Sequence, residues 1–142
     1  MKVVQFASSS TWTGEMAHVF SLSRSLANRG AEITLAFRTI RKGKGIPLPG
    51  EKATEFGFSS VLALNLDSGF YPFQMVSDLR KLIRHIDREG IQVLHTHRGQ
   101  DHWLAVVASK LSSRKPHVVR TRHVSVALRT HILNRWLFEQ TD

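Results

Sequence analysis

Residues 2–37 read KVVQFASSSTWTGEMAHVFSLSRSLANRGAEITLAF, and this stretch decides the fold. The apolar run at 2–7 predicts a buried strand, and a second strand is predicted at 32–37. Between them the apolar residues adopt helical spacing from Glu15 onward, with one face formed by Met16, Val19, Phe20, Leu26 and Ala27. Gly30 predicts a left-handed cap at the end of this helix. A strand, a helix and a second strand in this order indicate an α/β domain with parallel strands.

The loop between the first strand and the first helix, residues 8–14, is rich in hydroxyl groups and ends in glycine. Free backbone N–H groups and the positive end of the helix dipole meet at such a point, which suits a phosphate group. Gly14 is interpreted either as a turn glycine with positive φ or as a backbone donor to phosphate, and both roles are compatible. Ser8, Ser9 and Ser10 are interpreted as a solvated loop.

The rest of the chain alternates strands with helices. Further strands are predicted at 60–65, 91–96 and 117–121, and further helices at 51–56, 73–89, 101–112 and 126–140. The inward face of the longest of these helices is predicted to hold Val76, Leu79, Ile83 and Ile86. Right-handed crossovers then give a Rossmann-like, doubly wound parallel sheet of about five strands, with the first strand central and helices on both faces.

Composition limits the functional classes. The chain has 142 residues, 42% of them hydrophobic, which corresponds to one folded domain. It has no cysteine, which excludes disulfides and thiolate metal sites and fits a reducing cytoplasm. We find no signal peptide and no apolar run of the ~20 residues that a membrane span needs.

The net charge of +9 favours an anionic partner. The candidates are nucleic acid, anionic lipid headgroups and phosphorylated small molecules. The basic residues are dispersed, and no zinc-finger, RNA-binding or helix-turn-helix pattern is present, so we expect no nucleic acid partner. The basic loop Arg38 to Lys44 is predicted to contact an anionic membrane surface.

Polar residues follow three of the predicted strands. Ligands of open α/β sheets bind at the carboxyl ends of the strands, so Thr13 with Gly14, His97 with Arg98, and His123 are predicted to share one pocket. His95 and His97 are two residues apart and point to the same side of an extended strand. A metal site with His102 as third ligand is conceivable. We favour instead a structural hydrogen bond for His95 and a ligand contact for His97, and we expect no metal.

Two further sets of residues have competing interpretations. Asp101 is either the N-cap of the helix that follows it or a residue of the pocket. Trp103 and Trp136 are predicted to be core residues and not platforms for stacking a sugar.

Three segments resemble the N-terminal domain of the family 4 retaining glycosyltransferases, which have the GT-B fold. They are TGEMAHV at 13–19 with the helix after it, VLHTH at 93–97 and VVRTRH at 118–123. The resemblance implies a nucleotide-sugar donor, a hexose-type sugar, and a glycan or lipid-linked acceptor, with no metal cofactor. It implies that Thr13 and Gly14 bind the donor diphosphate, that His97, Arg98 and His123 bind the acceptor, and that His123 and Asp101 are catalytic. The family usually has two adjacent glycines where this chain has Thr13-Gly14.

The resemblance also implies a second, donor-binding domain. We therefore expect residues 1–142 to be the acceptor-side domain of a truncated two-domain enzyme, inactive alone and prone to dimerise through exposed edges. Such an enzyme is expected in the cytoplasm, either free or peripheral on the inner face of the membrane, where it would serve cell envelope polysaccharide or lipopolysaccharide synthesis. The alternative is a non-catalytic Rossmann-like module that binds a nucleotide or polyanion through its basic surface.

Overall fold

The computed structural model describes residues 1–9, 12–38, 49–66, 72–123 and 132–142. Its elements are β1 (Lys2–Ala7), α1 (Gly14–Ala27), β2 (Glu32–Arg38), α2 (Pro49–Glu55), β3 (Val61–Leu64), α3 (Pro72–Glu89), β4 (Val93–Thr96), α4 (Gly99–Leu111), β5 (His117–Arg120) and α5 (Ile132–Glu139). Every predicted strand and helix is therefore found. Most of the predicted basic loop and the start of the predicted last helix lie outside the described residues.

The five strands form one parallel sheet in the order β3-β2-β1-β4-β5. The predicted central position of the first strand is confirmed, since Val3 of β1 pairs with Ile33 of β2 on one side and with Val93 of β4 on the other. The chain builds the sheet first toward β3 and then reverses toward β5. The carboxyl ends of β1 and β4 therefore border the topological switch point of the sheet.

Alternation along β1 divides the apolar side chains between two cores. Val4 and Phe6 belong to a core that α3, α4 and α5 cover, with Leu82, Ala105 and Leu137 among its members. The opposite face carries Val3 and Ala7 and is covered by α1 and α2, which contribute Met16, Val19, Phe20 and Ala53. Helices on both faces are thus confirmed. Each fully buried large side chain stabilises the fold by about 1.5–3 kcal/mol.

The inward face of α3 is confirmed at Ile86, which is buried, and at Leu79 and Ile83, which pack against the core, but it differs from the prediction at Val76. Its buried residues are Asp78, Leu82 and Ile86, whereas Val76 is 45% exposed. Asp78 takes an inward position because its carboxylate accepts hydrogen bonds from the backbone N–H groups of Asn65 and Leu66, at 2.9 and 3.0 Å. Because the hydrogen bonds of its carboxylate are satisfied, Asp78 can lie on the buried side of α3, and Val76 lies outside that side.

The two tryptophans lie against each other. Their ring centroids are 5.8 Å apart, and Trp103 packs against the core of α3, α4 and α5 as predicted. Trp136 remains 40% exposed at its edge, so the core interpretation holds for Trp103 only. None of the helices within the described ranges has the length and hydropathy needed to cross a bilayer.

Candidate functional site

The strands β1 and β4 are neighbours at the switch point of the sheet, and open α/β sheets bind ligands in the crevice beyond the carboxyl ends of such strands. The loops that leave β1 and β4 lead directly into α1 and α4, so the N-termini of two helices of 14 and 13 residues border the same crevice. Each helix N-terminus has free N–H groups and a partial positive charge. The predicted convergence of Thr13, Gly14, His97, Arg98 and His123 on one edge of the sheet follows from this topology.

Thr13 is the N-cap of α1. Its backbone is extended, and its Oγ1 accepts a hydrogen bond from the N–H of Met16 at 3.3 Å. The hydroxyl hydrogen is still available to donate, because a threonine hydroxyl has one donor besides its acceptor lone pairs. Thr13 therefore both starts the helix and offers a donor at its N-terminus.

Gly14 is the first residue of α1, and the turn-glycine interpretation is wrong: its φ is not positive, since helical backbone follows directly after the cap. A Cβ built on Gly14 would meet no atom within 4 Å. Nothing in the described chain thus requires glycine here for packing. The space beside its backbone is open to a ligand.

Ser8 and Ser9 are 3% and 2% exposed, so the interpretation of this segment as a solvated loop is wrong for both. The Ser8 hydroxyl donates a hydrogen bond to Oδ2 of Asp101 at 2.6 Å. This contact joins the end of β1 to the first turn of α4, across 93 positions of sequence. Tertiary packing therefore buries hydroxyls that local composition assigns to the surface.

Asp101 is fully buried and is not an N-cap. Helix α4 begins at Gly99, and the capping position belongs to Arg98, which makes no side-chain capping bond. The Oδ1 atom of Asp101 is buried and has no partner among the described residues. Burial raises the pKa of Asp101 to about 6, and the hydrogen bond from Ser8 and the charge of Arg98 oppose this rise. The carboxyl group can therefore carry a proton near neutral pH.

Four imidazole rings form a histidine cluster, composed of His18, His95, His97 and His123. Nδ1 of His97 lies 3.0 Å from Nε2 of His123. The ring centroids of His95 and His97 are 4.5 Å apart, and those of His18 and His123 are 5.2 Å apart. The prediction that His95 and His97 point to the same side is confirmed. So is the hydrogen-bonding role of His95, whose Nε2 lies 2.8 Å from Oγ1 of Thr121.

The inner histidines of the cluster are neutral. Burial, reinforced by the neighbouring imidazoles, lowers the pKa of His95 to about 4 and that of His97 to about 3. A neutral imidazole has one N–H donor and one bare acceptor nitrogen. His123 is exposed and forms the outer end of the cluster. The two inner rings can therefore give and accept hydrogen bonds without adding charge.

Arg98 forms an ion pair with Glu15, with Nε and Oε1 2.9 Å apart. The two residues belong to the N-terminal turns of α4 and α1, so the pair connects the two helix ends that border the crevice. The Arg98 side chain is 41% exposed and that of Glu15 19% exposed. Arg98 thus keeps part of its guanidinium accessible to a ligand.

His102 does not join the histidine cluster as a third metal ligand. Its Nε2 lies 2.7 Å from Oγ1 of Thr141, and its Nδ1 lies 3.0 Å from the guanidinium of Arg120. Burial lowers the pKa of His102 to about 4. In the part of the chain that is described, no group of three or more histidine and acidic residues has an arrangement that could hold a metal ion.

Sequence reasoning missed Gln5 and His18. Gln5 is fully buried on the central strand, and its Oε1 lies 3.4 Å from Nε2 of His97. His18 lies one turn into α1, with its ring beside His123. The one signal for Gln5 in the sequence is an amide inside an otherwise apolar strand. His18 carries no signal beyond its residue type.

The comparison with protein families matches residues 14–142 to a family described as Glycosyltransferase Family 4. The chain belongs to glycosyltransferase family 4. The match includes every site residue named above except Gln5, Ser8, Ser9 and Thr13. No curated protein matches this family 4 chain in sequence.

Solved structures resemble the family 4 chain over nearly its whole length. They include MurG from Acinetobacter baumannii (TM-score 0.71, 11% identity, covering 99% of this chain and 40% of MurG). A glycosyltransferase from Rickettsia africae ESF-5 has a TM-score of 0.68 at 13% identity, covering 95% of this chain and 33% of that one. A protein from Listeria monocytogenes described as a UDP-N-acetylglucosamine 2-epimerase has a TM-score of 0.64 at 16% identity, covering 99% and 37%.

At these identities the likeness concerns the fold alone. The fold is the Rossmann-like α/β half found in GT-B glycosyltransferases, which confirms the predicted fold class. The chain spans 33–40% of the length of these three structures.

Proposed function

We propose that the chain is the acceptor-side domain of a retaining glycosyltransferase, which transfers a hexose-type sugar from a nucleotide sugar to a glycan or lipid-linked acceptor. The observation that carries this proposal is the crevice at the switch point. There two helix N-termini, suited to an anion, lie beside a histidine cluster whose hydrogen-bonding nitrogens suit hydroxyl groups. Family membership supports the class of reaction. Metal ions and cofactors have no role in this proposal.

The donor diphosphate belongs at the N-terminus of α1. Backbone N–H groups of Gly14 and Glu15, together with the hydroxyl of Thr13, can donate to phosphate oxygens there. The helix dipole favours the charge that develops on the leaving diphosphate. The open space beside Gly14 allows close approach of the backbone to the ligand.

The acceptor belongs beside His97, Arg98 and His123. His123 is exposed at the outer end of the histidine cluster and is the residue that we assign to the attacking hydroxyl. Asp101 is fully buried behind Ser8, so we assign it a positioning role through that serine and not direct contact with the sugar.

In retaining transfer of this kind the acceptor hydroxyl attacks the anomeric carbon on the face that the diphosphate leaves. The bond from this carbon to the diphosphate breaks, the new glycosidic bond forms, and the hydroxyl proton passes to a diphosphate oxygen. The protein accelerates such a step mainly by positioning and by stabilising charge. In this proposal a second domain holds the nucleotide, and residues 1–142 alone do not turn over.

The Gly14→Ala substitution is expected to weaken the binding of pyrophosphate to the chain about tenfold, a loss of about 1.4 kcal/mol. The added methyl group meets no protein atom but occupies the space where the phosphate would approach the backbone. The melting temperature should not fall, because alanine favours the helix. Titration calorimetry and thermal unfolding measure the two effects.

Ser25→Ala is the matched control for the Gly14 variant. Ser25 is an exposed residue of the same helix, so its replacement adds the same helix preference far from the crevice. Equal pyrophosphate affinity in the Gly14 and Ser25 variants would show that the donor diphosphate does not bind at the N-terminus of α1.

We further propose that the outer face of α3 contacts an anionic membrane. Phe73 is 91% exposed in the first turn of α3, and the exposed residues Arg80 and Arg84 continue along the same side of the helix. An exposed aromatic side chain and basic residues on the same side of a helix suit the interface of a membrane with anionic lipids. Of the predicted basic loop Arg38 to Lys44, only Arg38 lies within the described residues, so α3 carries the proposal.

The double substitution Arg80→Glu with Arg84→Glu is expected to weaken binding to vesicles of anionic lipid by about 10²-fold or more, since each basic residue near the surface contributes about 1 kcal/mol. Salt at about 0.15 M should weaken binding of the unmodified chain through screening. Sedimentation with vesicles measures both effects.

Arg24→Glu with Arg29→Glu is the control for the α3 variant, because these exposed arginines lie in and just after α1, on the opposite face of the sheet. An equal loss in both double variants would indicate an effect of net charge alone. Equal binding to neutral and anionic vesicles would also exclude the α3 surface.

A second candidate function is binding of a nucleotide or polyanion without catalysis. A cavity of about 310 Å³ at the amino end of β5, away from the crevice, is the observation behind it. Lys110, Lys115 and His117 line this cavity together with two acidic residues, Glu139 and Asp142, and His117 pairs with Asp142. Mapping where an anion binds decides between the two sites.

A further inference from the structure

A row of hydrogen bonds runs from the middle of the sheet to the surface of the crevice. It begins at Oε1 of Gln5, 3.4 Å from Nε2 of His97, and continues from Nδ1 of His97 to Nε2 of His123 at 3.0 Å. Gln5 is 0% exposed and His97 is 5% exposed, whereas His123 lies at the surface. The row therefore connects the central strand directly to the outermost imidazole.

We propose that Gln5 is a positioning residue that fixes the tautomer of His97 and, through it, the nitrogen that His123 presents to the crevice. The inference rests on the proposed function for the identity of the ligand, a sugar hydroxyl. The geometry of the row is independent of that function.

Which ring nitrogens carry hydrogen follows from which atoms in the row can donate a hydrogen bond and which can only accept one. The Gln5 carbonyl oxygen only accepts, so the hydrogen of neutral His97 is on Nε2. Nδ1 of His97 is then bare and accepts, which requires His123 to donate from its own Nε2. A neutral His123 consequently has a bare Nδ1. That nitrogen can accept a hydrogen bond from an acceptor hydroxyl and orient its oxygen for attack.

This order requires His97 to be neutral, and its surroundings favour the neutral ring. His97 is enclosed by imidazoles from three parts of the chain: His95 on the same strand, His18 on α1 and His123 after β5. Burial is the main cause of its lowered pKa, and the three neighbouring rings add to it. A second proton on His97 would occupy Nδ1. His97 could then no longer accept the hydrogen bond that His123 donates.

Stability does not account for Gln5. Its Nε2 group is buried and has no partner among the described residues. Burying an unsatisfied amide costs free energy, and an apolar residue of similar size would avoid that cost. Its neighbours on the same face of β1, Val3 and Ala7, are apolar and buried. An amide in their midst is therefore better explained by its bond to His97 than by packing.

The test is the tautomeric state of the two histidines in the 142-residue chain, read from long-range proton–nitrogen correlation spectra of chain labelled with ¹⁵N-histidine. In the unmodified chain we expect His97 and His123 each to carry hydrogen on Nε2. Gln5→Met, which keeps the length and removes the acceptor, should give mixed tautomers at both histidines. Gln5→Glu restores an acceptor and should return hydrogen to Nε2 of His97.

Gln92→Met is the control, because Gln92 is exposed just before β4 and bonds to the backbone of Lys2. It should leave both tautomers unchanged. Hydrogen on Nδ1 of His97 in the unmodified chain, or spectra that Gln5→Met does not alter, would overturn the inference.

Turnover separates this inference from the proposed function. In the intact enzyme Gln5→Met should lower kcat about tenfold, an effect of about 1.4 kcal/mol on the barrier, with little change in KM. A tautomer change without loss of kcat would refute positioning for transfer. The absence of any transfer by the unmodified enzyme would refute the proposed function, whereas the spectra report on Gln5 in either case.

Discussion

Replacing His123 with alanine is expected to lower sugar transfer by the intact enzyme about 10²-fold, the scale on which loss of correct positioning of a reacting group acts. The melting temperature should change little. His123 is exposed, and the hydrogen bond described for it is the one with His97. The substitution therefore removes a group from the crevice without opening a cavity in either core.

His117→Ala is the matched control for His123→Ala. His117 is an exposed histidine at the opposite end of the same strand, beside Asp142 at 3.1 Å. Its replacement should leave transfer unchanged. A large fall in melting temperature with normal turnover in His123→Ala would show that His123 is structural.

Acidification is expected to destabilise the chain strongly. The pKa values of His95, His97 and His102 are lowered in the folded state from 6.5 to about 4, 3 and 4, so these rings bind protons more readily when unfolded. The contribution of these three histidines to the free energy of unfolding is therefore complete above pH 6.5. It is lost progressively as pH falls toward the folded pKa values. Allowing for partial exposure, we expect a loss on the order of 5 kcal/mol, measured by urea unfolding across this range.

Asp101 acts in the opposite direction over part of the same range. Its pKa is raised from 3.8 to about 6, so the folded chain binds its proton more tightly, and this contribution is lost as pH rises through 6. One carboxyl does not outweigh three imidazoles. His97→Gln should flatten the pH dependence, whereas His117→Gln, at an exposed position, should not. Equal stability at both ends of the range would contradict the neutral cluster.

The fold could be predicted because its signals are local. The β1–α1–β2 unit follows from apolar spacing and from Gly30, whose φ of 87° matches the predicted cap. The central place of β1 follows from the handedness of crossovers. The convergence of His97 and His123 follows as well, because parallel strands bring their carboxyl ends to one edge.

The remaining details depend on contacts between distant parts of the chain. The burial of Ser8 and Asp101 results from α4 packing at the end of β1, and no local pattern encodes it. The sequence predicts the start of α4 two residues late, at Asp101 instead of Gly99, because the N-cap residue Arg98 makes no side-chain capping bond. Gln5 could not be recognised as part of the site, since its role exists only once β4 pairs with β1 in register.

The central claim is that the crevice at the switch point binds the diphosphate of a sugar nucleotide. The most direct test is a titration of the ¹⁵N-labelled chain with pyrophosphate, followed by amide chemical shifts. We expect the largest shifts at Thr13, Gly14 and Glu15, with smaller ones at Arg98 and Gly99. Shifts confined to Lys110, Lys115 and His117, which line the cavity at the other end of β5, would contradict the account.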